Sequence, residues 1–115
     1  MENHKSEAEM QAEIFQYFWN EYPKTRRLLF HVPNGGSRNK IEAVRLRAQG
    51  VVKGVTDFIL LGLNGMVGIE LKIPGGIISD DQQKIHSAWI KQGYKVCVCW
   101  SKEEAISIIK QELGL

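Results

Sequence analysis

Residues 54–72, which read GVTDFILLGLNGMVGIELK, constrain the fold more than any other stretch. Two apolar runs, at residues 58–61 and 66–71, flank the pair Asn64-Gly65. This pair is favoured in two-residue type I′ hairpin turns because both residues tolerate positive φ. The stretch therefore predicts an antiparallel hairpin with Asn64 and Gly65 as its loop.

In that register, Asp57 faces Lys72 and Ile59 faces Glu70. Side chains repeat every second residue along a strand, so Asp57, Glu70 and Lys72 share one face, with the Asp57 and Glu70 backbones ~7–8 Å apart on a diagonal. Two carboxylates at that spacing can close around one cation. A four-residue turn would instead place Asp57 directly opposite Glu70, and a bulge or an odd loop would break the match. The alternative to a metal site is a salt-bridged strand end that faces water.

The remaining hairpin residues are apolar on both faces. Ile59, Leu61 and Leu63 lie on one face, and the other carries a second apolar set: Phe58, Leu60, Val67, Ile69 and Leu71. Strands of this kind are covered on both sides, as in the middle of an α/β sheet. We therefore expect helices on both faces of this hairpin.

Chain length and the lack of long apolar runs set further limits. At 115 residues, the chain is expected to form one domain over residues 1–115, with a core that needs no metal or disulfide staple. No apolar run approaches the length of a membrane span, and the polar start MENHKSEAE lacks a signal-peptide core. A cytoplasmic protein with no membrane partner is expected.

Basic residues are concentrated in one segment of the chain. The net charge is only +2, but residues 24–53 hold eight of the fifteen Lys and Arg residues and one of the thirteen acids. The excess suits a polyanion such as nucleic acid, although a solvated face would look the same. The eight are Lys24, Arg26, Arg27, Arg38, Lys40, Arg45, Arg47 and Lys53.

Helical and strand patterns alternate along the chain. Apolar residues at helical spacing and capping residues predict four helices, over residues 6–22, 41–49, 79–93 and from 101 onward. Apolar runs predict four strands, at residues 27–32, 58–61, 66–71 and 94–100. The order α, β, short α, β, β, α, β, α predicts an α/β sandwich with a mixed sheet of about four strands flanked by helices.

The two cysteines, Cys97 and Cys99, fall within the last predicted strand. A C-x-C spacing on a strand points both side chains to the same side, without the geometry for an easy disulfide or a second pair for zinc. We interpret both as small buried hydrophobic residues.

Polar residues follow the first predicted strand. His31, Asn34 and Arg38 offer hydrogen bonds beside tandem glycines at 35–36, which let a backbone approach a ligand closely, although the segment also suits a simple turn. Gln82 follows Ser79 at capping-box spacing and is explained by helix capping alone.

The acid before one hairpin strand, the E-x-K on the next and the Glu-bearing first helix resemble the PD-(D/E)xK nuclease superfamily. Its αβββαβ core matches the predicted order if the helix at 41–49 is an insertion. The chain is more specifically similar to a stand-alone VRR-Nuc domain. The matching pieces run over nearly the whole chain: E-x-x-x-Q at 7–11, FHVPNGG at 30–36, GVTD at 54–57, IELK at 69–72 and S-x-x-Q at 79–82. The family more often has Pro where Thr56 stands, a departure outside the chemistry.

This resemblance implies a restriction-endonuclease-like core with a Mg²⁺ or Mn²⁺ site. Asp57 and Glu70 would hold the ion, assisted by the Leu71 main-chain carbonyl. Lys72 would orient or activate the attacking water and offset charge on the phosphate.

The resemblance also implies supporting residues. Glu7 would complete the site from the first helix, and Gln82 would brace it. Glu9 is the competing helical acid, and we favour Glu7 because it shares a ridge with Gln11 at i, i+4. Contacts to the DNA backbone are expected from His31, Asn34, Arg38, Arg45, Arg47 and Lys53.

The function implied is a divalent-metal-dependent endonuclease that hydrolyses DNA phosphodiesters in repair and recombination. Stand-alone members resemble Holliday-junction resolvases, which implies a homodimer acting on branched DNA such as four-way junctions, in the cytoplasm of a bacterial cell or a phage-infected host. Two alternatives stay open. One is a module that binds branched DNA without cutting it, and the other is a nuclease for flapped, nicked or linear DNA, or RNA, acting with a partner.

Overall fold

The computed structural model describes residues 5–33 and 39–115. The helices are α1 (Glu7–Glu21), α2 (Lys40–Ala48), α3 (Asp80–Lys91) and α4 (Lys102–Leu113), and a short 3₁₀ turn covers Pro23–Thr25. The strands are β1 (Leu29–Phe30), β2 (Phe58–Gly62), β3 (Gly65–Leu71) and β4 (Lys95–Cys99). This order confirms the predicted α/β architecture, with α2 inserted between β1 and β2.

The four strands form one mixed sheet in the order β1-β2-β3-β4. Strands β1 and β3 both run antiparallel to β2, whereas β3 and β4 are parallel. A parallel pair needs a crossover connection, and α3 supplies it between β3 and β4. The predicted mixed sheet is confirmed.

The core lies between one face of this sheet and helices α1 and α4. Met10, Ile14 and Phe18 of α1 are buried there at helical spacing. The sheet contributes the face predicted for the second apolar set: Phe58, Leu60, Val67, Ile69 and Leu71 are all buried. Cys99 is buried in this core and Cys97 is half-buried beside it, both as free thiols. Burial raises the pKa of the Cys99 thiol to about 12, in keeping with a structural role.

Helix α3 covers the opposite face of the sheet over β3. A Cβ placed at Gly68 would lie 2.7 Å from the Trp89 ring and 2.9 Å from the Thr56 methyl group, so only glycine lets α3 approach this closely. The expectation that the hairpin is covered on both faces is wrong at its far end, where Leu61 of β2 and Leu63 of the loop are exposed. The reason is that α2, unlike α1, α3 and α4, does not pack extensively against any strand of the sheet.

The hairpin turn differs from the predicted type I′ turn. Gly62 pairs with Gly65, so Leu63 and Asn64 form the loop. Each β2 residue therefore pairs with a β3 residue two positions earlier than in the predicted register. Asn64 does not have the positive φ of a type I′ turn; Gly65 takes it instead, at +120°. The cause is a long-range contact, since the Leu63 N–H donates to the Glu112 carbonyl of α4 at 2.9 Å and ties the loop to that helix.

Strand β1 is shorter than the predicted strand at 27–32. The 3₁₀ turn continues past its last residue, because the Leu28 N–H donates to the Thr25 carbonyl and Arg27 has φ +75°. Leu29 and Phe30 pair with Leu60 and Ile59 of β2, and the Leu28 carbonyl accepts from the Leu61 N–H at 2.8 Å. None of the helices in the described ranges has the length and apolar character needed to cross a bilayer.

Candidate active site

The shifted register brings Asp57 and Glu70 together. Because Phe58 pairs with Ile69, the preceding residue Asp57 stands opposite Glu70, on the α3 face of the sheet. The Glu70 side chain is 1% exposed. Its carboxyl group is within hydrogen-bonding contact of the Asp57 carboxyl group. This is the arrangement that the sequence allowed as its alternative register, and both registers place the pair on one face.

The environment of Glu70 strongly favours its protonated form. Its pKa is raised from 4.5 to about 9, chiefly by burial and further by the neighbouring Asp57 carboxylate through hydrogen bonding and charge repulsion. The Lys72 charge acts in the opposite direction and is outweighed. Two carboxyl groups this close do not both ionise readily unless a cation joins them. A divalent cation between them would remove the repulsion and ionise both.

The main chain of Leu71 points toward this carboxyl pair. Its N–H donates to Asp57 Oδ2 at 2.7 Å, whereas the next N–H, of Lys72, donates to the Cys99 carbonyl of β4 at 2.9 Å. The N–H and C=O of one strand residue point to the same side. The Leu71 carbonyl therefore lies on the Asp57 side, where two carboxyl groups and a carbonyl oxygen form a cluster of hard oxygen donors.

Lys72 lies at the end of β3 and is held by Gln82. Its side chain is buried, at 6% exposure, and Nζ donates to Gln82 Oε1 at 2.9 Å. The same Oε1 accepts from the Ser79 N–H at 2.9 Å, and Gln82 Nε2 lies 3.4 Å from Glu70 Oε2. The capping box at Ser79 and Gln82 is confirmed. Gln82 thus caps α3 and contacts both Glu70 and Lys72.

Of the two helical acids, Glu7 lies nearer the carboxyl pair. Its Oε2 would be 3.7 Å from a Cβ placed at Gly76, and the Lys72 Cδ would be 3.4 Å from the same point. Its charge also raises the pKa of Glu70. Glu9 is exposed, and its charge helps to raise the pKa of Lys5 instead. The α1 backbone therefore presents Glu7, rather than Glu9, toward the site.

His86 is a site residue that the sequence interpretation missed. It lies one turn beyond Gln82 on α3, is 13% exposed, and places Nε2 at 3.0 Å from Glu70 Oε1. Burial, with help from the Lys72 charge, lowers the pKa of His86. The raised pKa of Glu70 and the lowered pKa of His86 both favour a contact between neutral groups over an ion pair. The i, i+4 spacing of Gln82 and His86 was the signal that could have found it.

Among the described residues, Asp57 and Glu70 are the two candidate metal-ligating side chains at this point. Within residues 5–33 and 39–115, no group of three or more His, Cys, Asp or Glu side chains has the arrangement of a metal site. Glu7 and His86 therefore contact the carboxyl pair without completing a ligand set of side chains. Two carboxylates and a carbonyl still fit Mg²⁺, which is bound through one or two carboxylates and keeps water and substrate phosphate in its shell.

His31 approaches the site from β1. It is exposed, and its Nδ1 donates to the Asp57 carbonyl at 2.6 Å, since a carbonyl can only accept. Its Nε2 is then left for other contacts. Asn34 and Arg38, the other two residues predicted to contact DNA from this loop, lie outside the described residues.

The remaining predicted DNA contacts lie on and just after α2. Asn39 caps this helix, as predicted, and Gly50 ends it with φ +101°. Arg45, Arg47 and Lys53 are exposed, and none of them takes part in the ion pairs found among the described residues.

The chain resembles a known protein in structure but matches none in the sequence comparisons. No known protein-family profile and no curated protein matches the chain by sequence. A solved structure described as "VRR_NUC domain protein" superposes with a TM-score of 0.80 at 22% identity, over 99% of this chain and 93% of that one. The chain has a VRR-Nuc fold. At this identity, the likeness is one of fold, and the predicted α/β architecture with a mixed four-stranded sheet flanked by helices is thereby confirmed. Because the likeness covers 99% of the chain, the elements that carry Asp57, Glu70, Lys72 and Gln82 all belong to the VRR-Nuc fold.

Proposed function

We propose that this protein is a divalent-metal-dependent endonuclease that hydrolyses DNA phosphodiesters. The observation that carries the proposal is the contact between the Asp57 and Glu70 carboxyl groups on one face of the sheet, with Lys72 at the end of the same strand. An acid pair whose Glu70 member is buried is costly without a cation. The VRR-Nuc fold supports assignment of the pair to nuclease chemistry.

Asp57, Glu70 and the Leu71 carbonyl are proposed to hold Mg²⁺ or Mn²⁺. When bound, the ion supplies Lewis-acid stabilisation of charge on the phosphate and lowers the pKa of a bound water. Glu70 is held for this role by His86 at 3.0 Å and by Gln82 at 3.4 Å. Asp57 is oriented by the Leu71 N–H.

Lys72 is proposed to orient the attacking water and to offset negative charge on the phosphate. Its hydrogen bond to Gln82 fixes the position of Nζ, and burial of its stem restricts its rotamers. Glu7 is proposed to complete the site from α1. The exposed cations Arg45, Arg47 and Lys53 are proposed to contact the DNA backbone with His31.

The substrate is proposed to be branched DNA such as a four-way junction, cut by a homodimer. Two active sites related by a two-fold axis suit a junction with paired scissile strands. Sedimentation should then give a particle of twice the 13.1 kDa chain mass. A monomer both alone and on the junction would contradict the homodimer.

The decisive experiment compares wild type with Asp57→Ala on labelled four-way junctions, flaps, nicked duplexes and linear DNA. In Mg²⁺ or Mn²⁺, wild type is expected to cut, with the junction preferred. Loss of outer residues at metal sites costs 10–100-fold, so removal of a ligand is expected to slow cleavage by at least about 100-fold. Asp80→Ala, an exposed acid on the first turn of α3, is the control and should cut like wild type.

Undiminished cutting by Asp57→Ala, or metal-independent cutting by wild type, would reject the proposed site. Tight junction binding without cleavage by wild type would favour the non-cleaving binding module instead. Cutting of flaps or linear DNA in preference to junctions would retain the nuclease and reject the branched substrate.

A further inference from the structure

A shallow concavity of about 470 Å³ lies between the segment that follows α2 and the first turns of α3. Three cations line it: Arg47 from α2, Lys53 from the segment and Lys84 from α3. One acid, Asp81, also lines it, so the charge of the lining is positive. Lys84 lies outside the basic segment of the sequence, and only the fold brings it to Arg47 and Lys53.

Within residues 5–33 and 39–115, these three cations take part in no ion pair. In the described part of the chain, every ion pair of a lysine involves Lys5, Lys95 or Lys102, with Glu13 or Glu112 as the acid. Arg47, Lys53 and Lys84 form no ion pair or hydrogen bond with those residues. A cation without an internal partner keeps its full charge for an external anion.

The concavity is adjacent to the candidate active site. A Cβ placed at Gly54 would lie 2.3 Å from the Asp81 carbonyl and 2.8 Å from the Gln82 N–H nitrogen, so the segment is pressed against the first turn of α3. The Gln82 side chain on that turn contacts Lys72. Gly54 also precedes Asp57 by only three residues, a reach of at most roughly 10 Å. An anion in the concavity is therefore within a few nucleotides of a phosphate at Asp57, since each strand of a duplex carries one phosphate per about 3.4 Å of helix axis.

Apolar side chains line the concavity together with the cations. They are Val51, Val52 and Ile85, and Val52 is 53% exposed. A lining of apolar and cationic side chains suits a sugar-phosphate backbone, which presents both sugar carbons and charged oxygens. A free inorganic phosphate would leave the apolar side chains uncovered.

We propose that Arg47, Lys53 and Lys84 form a binding site for the backbone phosphates of the DNA strand that leads to the metal site. This inference rests on the proposed function for the identity of the polyanion. The site binds DNA independently of sequence, because its cations contact phosphates and not base edges. It continues the path of the basic segment across the first turns of α3.

The test measures DNA affinity against salt in EDTA, where metal-dependent cleavage does not occur. The probes are fluorescein-labelled duplexes of unrelated sequence and a four-way junction, and the proteins are wild type, Lys84→Ala and Arg47→Ala/Lys84→Ala. Each lost phosphate contact should reduce the slope of log affinity against log salt by roughly 0.9, equally for every sequence. Lys95→Ala is the matched control, because it removes an exposed lysine that is paired with Glu112.

A wild-type slope in Lys84→Ala, or an equal loss of slope in Lys95→Ala, would overturn the site. Absence of DNA binding by wild type would also overturn it. Displacement of DNA by inorganic phosphate beyond the effect of chloride at equal ionic strength would assign the concavity to free phosphate. It would overturn the proposal that the concavity binds a DNA strand. Reduced slopes in a protein that does not cleave in Mg²⁺ would support this site while rejecting the nuclease, so the two failures are distinguishable.

Discussion

The Glu70 carboxyl links stability to pH. Its pKa is raised from 4.5 to about 9, chiefly by burial. The folded state therefore prefers the protonated form, and the stability that this proton contributes is complete below about pH 4.5 and lost as pH rises to about 9. In EDTA, the melting temperature should fall across this window, with a cost of at most about 1.4 kcal/mol per pH unit for one proton.

Thermal denaturation in EDTA from pH 5 to pH 9 measures this effect. Glu70→Gln keeps the shape and cannot ionise, so its melting temperature should fall less with rising pH than that of wild type. Saturating Mg²⁺ should restore the high-pH stability of wild type, because a bound cation favours both ionised carboxylates. A wild-type protein whose melting temperature rises over this window would contradict the buried, protonated Glu70.

His86 is expected to support metal binding through Glu70. It contacts Glu70 Oε1 at 3.0 Å from a half-buried position on α3, so its ring fixes the rotamer of a proposed ligand. Residues that hold metal ligands in place typically contribute 10–100-fold to metal affinity. His86→Ala should weaken Mn²⁺ binding in calorimetric titrations by about that factor, and His86→Gln should recover part of it by donating a hydrogen bond.

Ser87→Ala is the control for this effect, since Ser87 is an exposed neighbour on the same helix. It should bind Mn²⁺ like wild type. Equal Mn²⁺ affinities for wild type and His86→Ala, with both folded by circular dichroism, would show that the contact does not support the site.

The sequence predicts which acidic residues share a face of the sheet, but not which residue pairs directly with which across the two strands. Strand periodicity places Asp57, Glu70 and Lys72 on one face in either register. The two registers differ by two residues in the pairing partner, and side chains two residues apart lie on the same face. Direct opposition of Asp57 and Glu70 depends on the loop contact with α4. The role of His86 depends on where α3 crosses the sheet, and local sequence does not encode that position.

At Gly54, the segment that leads to Asp57 packs closely against the first turn of α3. Gly54 has φ +93°, and a Cβ there would lie 2.3 Å from the Asp81 carbonyl. Gly50 has a similar φ of +101° but no atom within 4 Å of the same position. Gly50→Ala should therefore cost only the backbone strain, about 1–2 kcal/mol, whereas Gly54→Ala should cost that strain plus about 1–3 kcal/mol for the clash.

Urea denaturation of the two variants measures the difference in the free energy of unfolding. The comparison separates strain from packing because both residues lie in the same connection between α2 and β2. Equal losses in the two variants would show that the segment moves away from α3 at little cost, and would contradict a tight contact at the first turn.

Helices were easier to predict than strand ends. Ser79 and Asn39 cap α3 and α2 as expected, because capping is a local interaction between a side chain and nearby N–H groups. The start of β1 and the hairpin turn were mispredicted. Arg27 adopts φ +75° within a continued turn, and Leu63 is bound by α4, so neighbouring structure and not local propensity determines both.

The molecule is electrostatically asymmetric. On the side of α1 and α4, four lysines have partners: Lys5, Lys95 and Lys102 bind acids, and Lys110 Nζ lies 5.3 Å from the Tyr17 and Tyr22 rings. Lys24, just after α1, is the exception and takes part in no ion pair within the described ranges. On the side of α2 and α3, the lysines have no ion pair within the described ranges, and this set comprises Lys40, Lys53, Lys84 and Lys91. A polyanion is therefore expected to bind on the α2 and α3 side, where no internal contact has to be broken first.

Lysine footprinting tests this orientation. Acetylation in EDTA, with and without a four-way junction, should show protection of the lysines on the α2 and α3 side by DNA. The lysines on the α1 and α4 side should react equally in both samples, and each serves as its own control because the comparison is made at one residue. Release of the junction with salt should abolish the protection, since phosphate contacts are screened. Protection confined to Lys95, Lys102 and Lys110 would place the DNA on the opposite face, away from Glu70 and Asp57, and would separate the DNA-binding surface from the proposed metal site.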